Sequence, residues 1–499
     1  MTDTCISIGP ALDWRAVARV AEGGRIVLDG AAAHRIAAGR AVVESIVAAG
    51  IPAYGVNTGV GALVSQAVDP EQQRALSRNL VMSHACGVGH ALPDEAVRAI
   101  IAAQVNNLAH GRSGVRLELV QALVGLITHN CVPIVPAGGS VGYLTHMAHI
   151  GLVVIGDGEA RVGGRQICGA EALAAVGLAP LELETKEGLS LLNGAPCATG
   201  MACLALAQAS RLVTAADTVA SLSMEALGVQ RAAFDAEVLA LRNSPGIAVS
   251  GAAIRRWLAD SRHLAKGGRL QDALSLRATP QVHGAVRDML DQTGEVVDRE
   301  LRSVTDNPAV SGTPQAPVVS SQAHAVAAGL AMALDATAIA VAHLGMVAER
   351  RLDRLVNPLV SGLPPFLSSD PGVTTGYMIA QYSGAALVAE NRRLCTPASL
   401  DGGVTSALQE DYLAHPTAAA LKLLTVISNV ERIMGIELIA ATEAHDLGVA
   451  PARRAPGTAL IHAAVREKIG RYADDRPLAA IMDAGAELVR RGLPAQPAA

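Results

Sequence analysis

The sequence predicts an all-α fold built around a bundle of long helices, and three observations carry that expectation. Hydrophobic residues make up 51% of the 499-residue chain. It nevertheless holds only 2 Phe, 2 Trp and 6 Tyr, so Ala, Leu, Val and Ile must fill the core. That palette favours closely packed helices, since strands draw on aromatic and β-branched residues. Residues 203–241, 325–352 and 418–442 each repeat apolar side chains at helical spacing with few breakers, which predicts long helices lying as antiparallel neighbours.

Along the chain, the first two hundred residues stand apart. Glycine and proline cluster at 55–61, 87–89, 133–142 and 156–164, between shorter helical runs. Glycine-dense loops let backbone approach a ligand. They predict a loop-rich helical domain over residues 1–200 and a long-helix domain over residues 201–499, with no linker or internal repeat. The stretch 325–348, AVAAGLAMALDATAIAVAHLGMVA, is long enough to span a membrane, but it carries Asp335 and His343 and is mostly alanine. A span would be richer in Leu and Ile. A helix apolar on every side suits the centre of a soluble bundle. The closing GLPAQPAA reads as a frayed tail.

Charge and cysteine content narrow the function classes. Forty Lys plus Arg against 45 Asp plus Glu give a net charge of −5, with 17% of residues charged, which excludes a strongly basic nucleic-acid binder and argues against disorder. Seven cysteines are scattered without a C-x-x-C pair and read as buried apolar thiols in a reducing compartment. The opening MTDTCISIGPALDW has neither a basic nor an apolar leader region, so a cytoplasmic protein without a membrane partner is expected.

Several segments are built for chemistry rather than packing: AYGVNTGVG (53–61), RNLVMSHACGVG (78–89), VPIVPAGGSVG (132–142), LLNG (191–194), QDALSLRATPQVHG (271–284), TDNP (305–308), LPPFL (363–367), GYMIAQ (376–381) and TSALQED (405–411). In this order and spacing the chain resembles the aromatic amino acid ammonia-lyases, histidine ammonia-lyase most closely, from residue 20 to residue 450. The resemblance implies a histidine ammonia-lyase-like all-α fold, a homotetramer whose active sites draw on several subunits, and a small-molecule amino acid substrate. It also implies an electrophile, the methylidene-imidazolone (MIO) formed when an Ala-Ser-Gly tripeptide cyclises and dehydrates.

That tripeptide is missing. Relatives read V-P-x-x-G-S-V-G, then A-S-G, then D-L-x-P-L-A-H. Here Val135-Pro-Ala-Gly-Gly-Ser-Val-Gly142 runs straight into Tyr143-Leu-Thr-His-Met-Ala-His149, and no Ala-Ser-Gly occurs elsewhere. An ungapped alignment lays Ser140-Val141-Gly142 over it, but valine has no hydroxyl to eliminate. The expectation is therefore an enzyme with no cofactor. An amine leaves poorly without electrophilic help, whereas a quaternary trimethylammonium departs as neutral trimethylamine. This pattern resembles ergothionase, an ergothioneine trimethylammonia-lyase, and predicts loss of trimethylamine from ergothioneine or a related histidine betaine to give a conjugated imidazole acrylate. Two alternatives stand beside it: a catalytically inactive homologue with a binding or regulatory role, and an ordinary histidine or aromatic amino acid ammonia-lyase whose written sequence omits the tripeptide.

The resemblance also assigns residues. Tyr54 is the expected base for the β-proton. A phenol is weak at neutral pH, so helix N-termini or backbone donors must assist it. Arg277, in S-L-R, is expected to hold the substrate carboxylate through its planar fork. Asn193 is expected to orient the carboxylate or to cap a helix. His84 and Glu410 are expected at the ring-binding end, with Glu410 accepting from the ring or offsetting a cationic head. Leu274 replaces the tyrosine found before S-L-R in relatives, and Gln322-Ala323 replaces Asn-Phe before His324. His146 and His149 lie one turn apart, but two such histidines do not make a metal site, and no metal is expected. Tyr143, where relatives have aspartate, has no assigned role.

Overall fold

The computed structural model describes residues 5–264 and 270–495, so residues 496–499 of the tail read as frayed lie outside the described residues. The four longest elements are helices, three of them with proline in the first turn: Pro196, Pro280 and Pro416. The four span Pro196–Ala226, Thr279–Leu301, Ala328–Val356 and Pro416–Gly448, of 31, 23, 29 and 33 residues. Proline starts a helix well because the amide hydrogen it lacks would be unpaired there. The helical fold of the histidine ammonia-lyase type expected from the sequence is the fold observed.

One helix ends before the apolar pattern does. The run read over 203–241 stops at Ala226 because Gly228 takes the left-handed conformation (φ 62°). The amides of Gly228 and Val229 then turn back onto the carbonyls of Glu225 and Met224. Such a glycine terminator satisfies the last carbonyls while the sequence beyond stays apolar.

The chain divides into two compact units. The first comprises Met1–Ala207, Thr293–Asp335 and Pro397–Leu421, and the second Gln208–Gln292, Ala336–Thr396 and Lys422–Ala499. Two later segments thus return to the first unit, unlike a single division near residue 200. Every strand of the described residues falls in the first unit, in short ladders: Cys5–Ile8 parallel to Arg25–Leu28, Val88–Ala91 with Pro136–Gly138, Val132–Pro133 with Glu159–Val162 and Arg165–Cys168, and the hairpin Ala309–Thr313/Ala316–Ser320. Within this unit the helix Glu187–Leu192 packs on Gln73–His84 so closely that a Cβ on Gly188 would lie 2.2 Å from the Ser77 carbonyl oxygen. Only glycine permits that approach. In the second unit, Gly345 brings Ala328–Val356 against Val430 and Ile433 of Pro416–Gly448.

Two helical stretches are long and apolar enough to cross a membrane, Glu187–Ala226 and His324–Val356; the most apolar window of the first is wholly buried in protein, that of the second half buried. The stretch expected to be enclosed on every side therefore is not enclosed within one chain. Met332, Ile339 and Met346, seven residues apart, face outward at 59%, 42% and 45% exposure. The expectation of buried thiols holds for Cys131, Cys197 and Cys203, but Cys5, Cys86 and Cys168 are exposed. Those three lie in or beside short strands and loops, where a small side chain needs no core position.

Candidate active site

Tyr54 rides on a loop whose polar residues satisfy its own backbone. The Ala53 amide donates to Asn57 Oδ1 (2.8 Å), Asn57 Nδ2 to the Ile51 carbonyl (2.9 Å), and the Gly55 amide to Thr58 Oγ1 (3.2 Å). The N-T of YGVNTG is thus a brace. Side chains that bond their own neighbourhood hold a turn without a ladder. Tyr54 is half-buried, and its Oη accepts from the Gly61 amide at 3.3 Å, a contact a phenolate would keep. The next amide, Ala62, donates to Ser406 Oγ at 3.3 Å. That bond ties this loop to the one carrying Glu410.

Glu410 is aimed by an unusual turn. Thr405 and Glu410 pair as an antiparallel bridge, and between them Ser406, Ala407 and Leu408 all have left-handed φ, 51°, 50° and 74°. Three consecutive L-residues there cost roughly 1–2 kcal/mol each, a strain of the kind that collects at functional sites. Glu410 Oε2 accepts from Thr405 Oγ1 (2.8 Å) and from Tyr143 Oη (3.1 Å). His84 ends the helix Gln73–His84, with Nδ1 2.8 Å from the Leu80 carbonyl. A carbonyl only accepts, so Nδ1 carries the hydrogen and Nε2 is left as an acceptor.

These groups line one cavity of about 720 Å³, drawn wholly from the first unit, together with Leu144, Asn193, Asn307 and Gln322. Tyr54, His84, Asn193 and Glu410 are thereby brought together. Asn193 is buried; its Nδ2 donates to the Asn307 carbonyl and its Oδ1 accepts from the Gly194 amide (2.9 Å). It ties the wall as well as facing the cavity. Gln322 does likewise: its Nε2 donates to the Asp306 carbonyl (2.6 Å), its own amide donates to Asn307 Oδ1 (2.8 Å), and its Oε1 accepts from the His324 amide (2.5 Å). Beneath this wall Lys186 Nζ donates to the Ser113 carbonyl and Ser190 Oγ, both 2.8 Å, and lies 3.4 Å from Asp306, with both side chains fully buried.

Arg277 is not among the lining residues. It closes the short turn Leu274–Arg277 in the second unit, its Nε donating to the Asp272 carbonyl (2.9 Å), while Leu274 is exposed. His146 Nε2 meets the Ala137 carbonyl (3.0 Å) and His149 Nε2 accepts from the Gly87 amide (3.0 Å). Burial pushes both rings below the ordinary histidine pKa. Among the described residues no group of three or more His, Cys, Asp or Glu is placed to hold a metal.

The segment where relatives carry the tripeptide is taut. Gly142 (φ 144°) sits where a Cβ would lie 2.8 Å from Pro416, and its carbonyl accepts from Thr417 Oγ1 (3.1 Å). Ser140 Oγ donates to the Tyr143 carbonyl (3.1 Å) and accepts from the Gly142 amide (3.2 Å). Leu144, at φ 70°, ψ −69°, forms a γ-turn of the strained positive-φ kind, closed by the Thr145 amide onto the Tyr143 carbonyl (2.9 Å). Tyr143 thereby reaches Glu410, 267 residues away. The sequence left Tyr143 without a role because that contact depends on this turn; its place directly after Gly142 was the available signal.

A profile described as "Aromatic amino acid lyase" matches residues 12–467. The chain is 43% identical to a histidine ammonia-lyase from Symbiobacterium thermophilum, over 98% of this chain and 97% of the relative. Among solved structures it is similar to tyrosine aminomutase from Streptomyces globisporus (TM-score 0.92, 32% identity, 98% and 97% of the two chains). It is also similar to ergothionase from Treponema denticola, an ergothioneine-degrading enzyme (TM-score 0.91, 26% identity, 97% and 98%).

These relatives correct one expectation. Full-length similarity to proteins named histidine ammonia-lyase, the class for which the resemblance implies an MIO electrophile, does not support an enzyme with no cofactor, and that expectation is withdrawn. The residues of this chain nevertheless do not fit that group: Val141 offers no hydroxyl, and Ser140, Gly142 and Tyr143 on either side of it are tied into the turn by the hydrogen bonds above.

Proposed function

Because the chain belongs to the aromatic amino acid lyase family and is a carbon–nitrogen lyase of that family, we propose that it eliminates ammonia from histidine or a close imidazole analogue, giving a conjugated imidazole acrylate. The 43% identity to a histidine ammonia-lyase along 98% of the chain supports this reading most, and the cavity agrees with it. In such an elimination a base takes the β-proton, the C–H electron pair becomes the Cα=Cβ bond, and nitrogen leaves with the electrons of its bond to Cα. Tyr54 serves as the base, with the Gly61 amide holding its oxygen. His84 and Glu410 take the ring, and Asn193 orients the carboxylate. Arg277 completes carboxylate binding in a homotetramer, to which the outward row Met332, Ile339 and Met346 is suited because apolar residues seven apart seek a partner helix.

The absence of any Ala-Ser-Gly from the sequence favours a second reading, in which the substrate is ergothioneine or another histidine betaine and trimethylamine leaves. Similarity to ergothionase agrees with it. One experiment separates the two. The purified protein is incubated with histidine, histidine betaine, ergothioneine and tyrosine, while ammonia, trimethylamine and the absorbance of a conjugated acrylate are followed. Ammonia from histidine supports the first reading and trimethylamine the second; no product from any of them overturns both and leaves a binding role. The intact mass of the same sample shows whether any backbone dehydration has occurred.

A further inference from the structure

Two donors end on one oxygen of Glu410. Tyr143 Oη and Thr405 Oγ1 both donate to Oε2, at 3.1 and 2.8 Å, so the acceptor capacity left for a ligand lies mainly on Oε1. His84 is fixed in the same way, since the Leu80 carbonyl holds the hydrogen on Nδ1 and leaves Nε2 as an acceptor. The cavity therefore presents two acceptors from opposite ends of the chain. We propose that Tyr143 is a positioning residue which, with Thr405, fixes Glu410 so that the cavity selects a ring carrying two N–H donors, an imidazolium or an imidazole-2-thione, over a phenyl ring. This rests on the imidazole reading above and adds its structural cause.

Hydrogen-bond inventory supports the choice. A phenyl ring would leave both acceptors unpaired in a partly buried wall, and rejecting a ligand that cannot pair a site's buried polar groups is the stronger form of discrimination. Burial and the neighbouring negative charge of Glu410 push the Tyr143 phenol above its ordinary range, so Tyr143 keeps its proton and stays a donor across physiological pH. The tyrosine is carried there by the strained turn at Leu144.

The test is equilibrium binding of three probes, 3-(imidazol-4-yl)propionate, its ring N-methyl derivative and 3-phenylpropionate, to the full-length wild type, Tyr143→Phe and Thr405→Val by titration calorimetry. Wild type should prefer the imidazolyl probe, with the N-methyl derivative between. Tyr143→Phe should weaken the imidazolyl probe about tenfold, the scale of one charge-assisted hydrogen bond, while changing the phenyl probe less than about twofold, as a general loosening of the fold would not. A wild type without imidazolyl preference overturns the imidazole reading and this proposal with it. A wild type with that preference, retained unchanged in Tyr143→Phe, overturns the positioning role alone. Should Tyr143→Phe fail to fold, Thr405→Val decides: a reduced preference supports the clamp, and an unchanged one overturns it.

Discussion

Leaving glycine aside, Asn130, Leu144, Lys186, Ala327, Ser406, Ala407, Leu408 and His415 all hold positive φ in the first unit, whereas the second unit's described residues have Asp260, Phe366 and Leu367 alone. The second unit instead buries charge between long helices. Arg351 and Glu437 pair at 2.6 Å with neither side chain exposed, Ser223 adds a donor to the same carboxylate (2.7 Å), and Asp217 holds both His283 (2.8 Å) and Arg287 (2.7 Å). In the first unit the pair buried at both ends is Lys186–Asp306, and it props a loop. Bent backbone aims side chains into a cavity; paired charges between straight helices fix which helix faces which. The difference teaches that function here is placed by loops whose strain is held by the contacts around them.

The largest expected effect tests whether the strained unit is where chemistry occurs. Tyr54→Phe should reduce turnover by about 10²- to 10⁴-fold, the range for loss of a general base, and leave thermal unfolding unchanged. Activity within tenfold of wild type would remove Tyr54 as the base. Next comes stability. Arg351→Met should lower the unfolding free energy by about 3–5 kcal/mol by leaving Glu437 buried and unpaired, while Arg351→Met with Glu437→Leu should recover most of it. Urea unfolding measures both, and a double variant no better than the single would show that packing, not charge, is at stake.

A smaller effect is pH-dependent. Burial pushes His445 in the second unit down to about 3, from an ordinary 6.5. Its Nε2–H donates to the Leu222 carbonyl (3.0 Å), so its 3.9 Å approach to Glu225 is not an ion pair at neutral pH. The ring is neutral when folded but takes up a proton when unfolded below pH 6.5. Stability is therefore intact above that value and falls as pH drops from 6.5 towards 3. Melting curves across this window should be shallower for His445→Gln, by one proton's worth of slope; identical slopes would assign the acid lability to other groups. The smallest pair contrasts the units most directly. Ala407→Gly, exposed at φ 50°, should stabilise by up to about 1 kcal/mol, whereas Ala386→Gly, exposed within the helix Met378–Leu394, should destabilise by a similar amount. Equal signs would deny that the turn at 406–408 is strained.

The same contrast explains what the sequence made legible. Helical periodicity located the bundle because apolar spacing is a local property, and it overran most where Gly228 ended a helix inside an apolar run. The pattern at Tyr54, His84, Asn193 and Glu410 was legible through motifs, and those four residues share a cavity. Arg277 did not join them within one chain. Tyr143, Thr405 and Gln322 stayed hidden as partners because each acts through a tertiary hydrogen bond set by turn geometry, which carries no period.

The turn at Ser406–Leu408 has a further consequence. Over three residues the chain coils with the opposite hand to every helix around it, so the usual penalty for a mirror-image building block reverses sign there. In a semisynthetic version assembled by ligation, D-alanine at position 407 would sit in its own preferred basin while L-proteases would lose a cleavable site. In the loop that presents Glu410, inverted stereochemistry would thus strengthen the native shape.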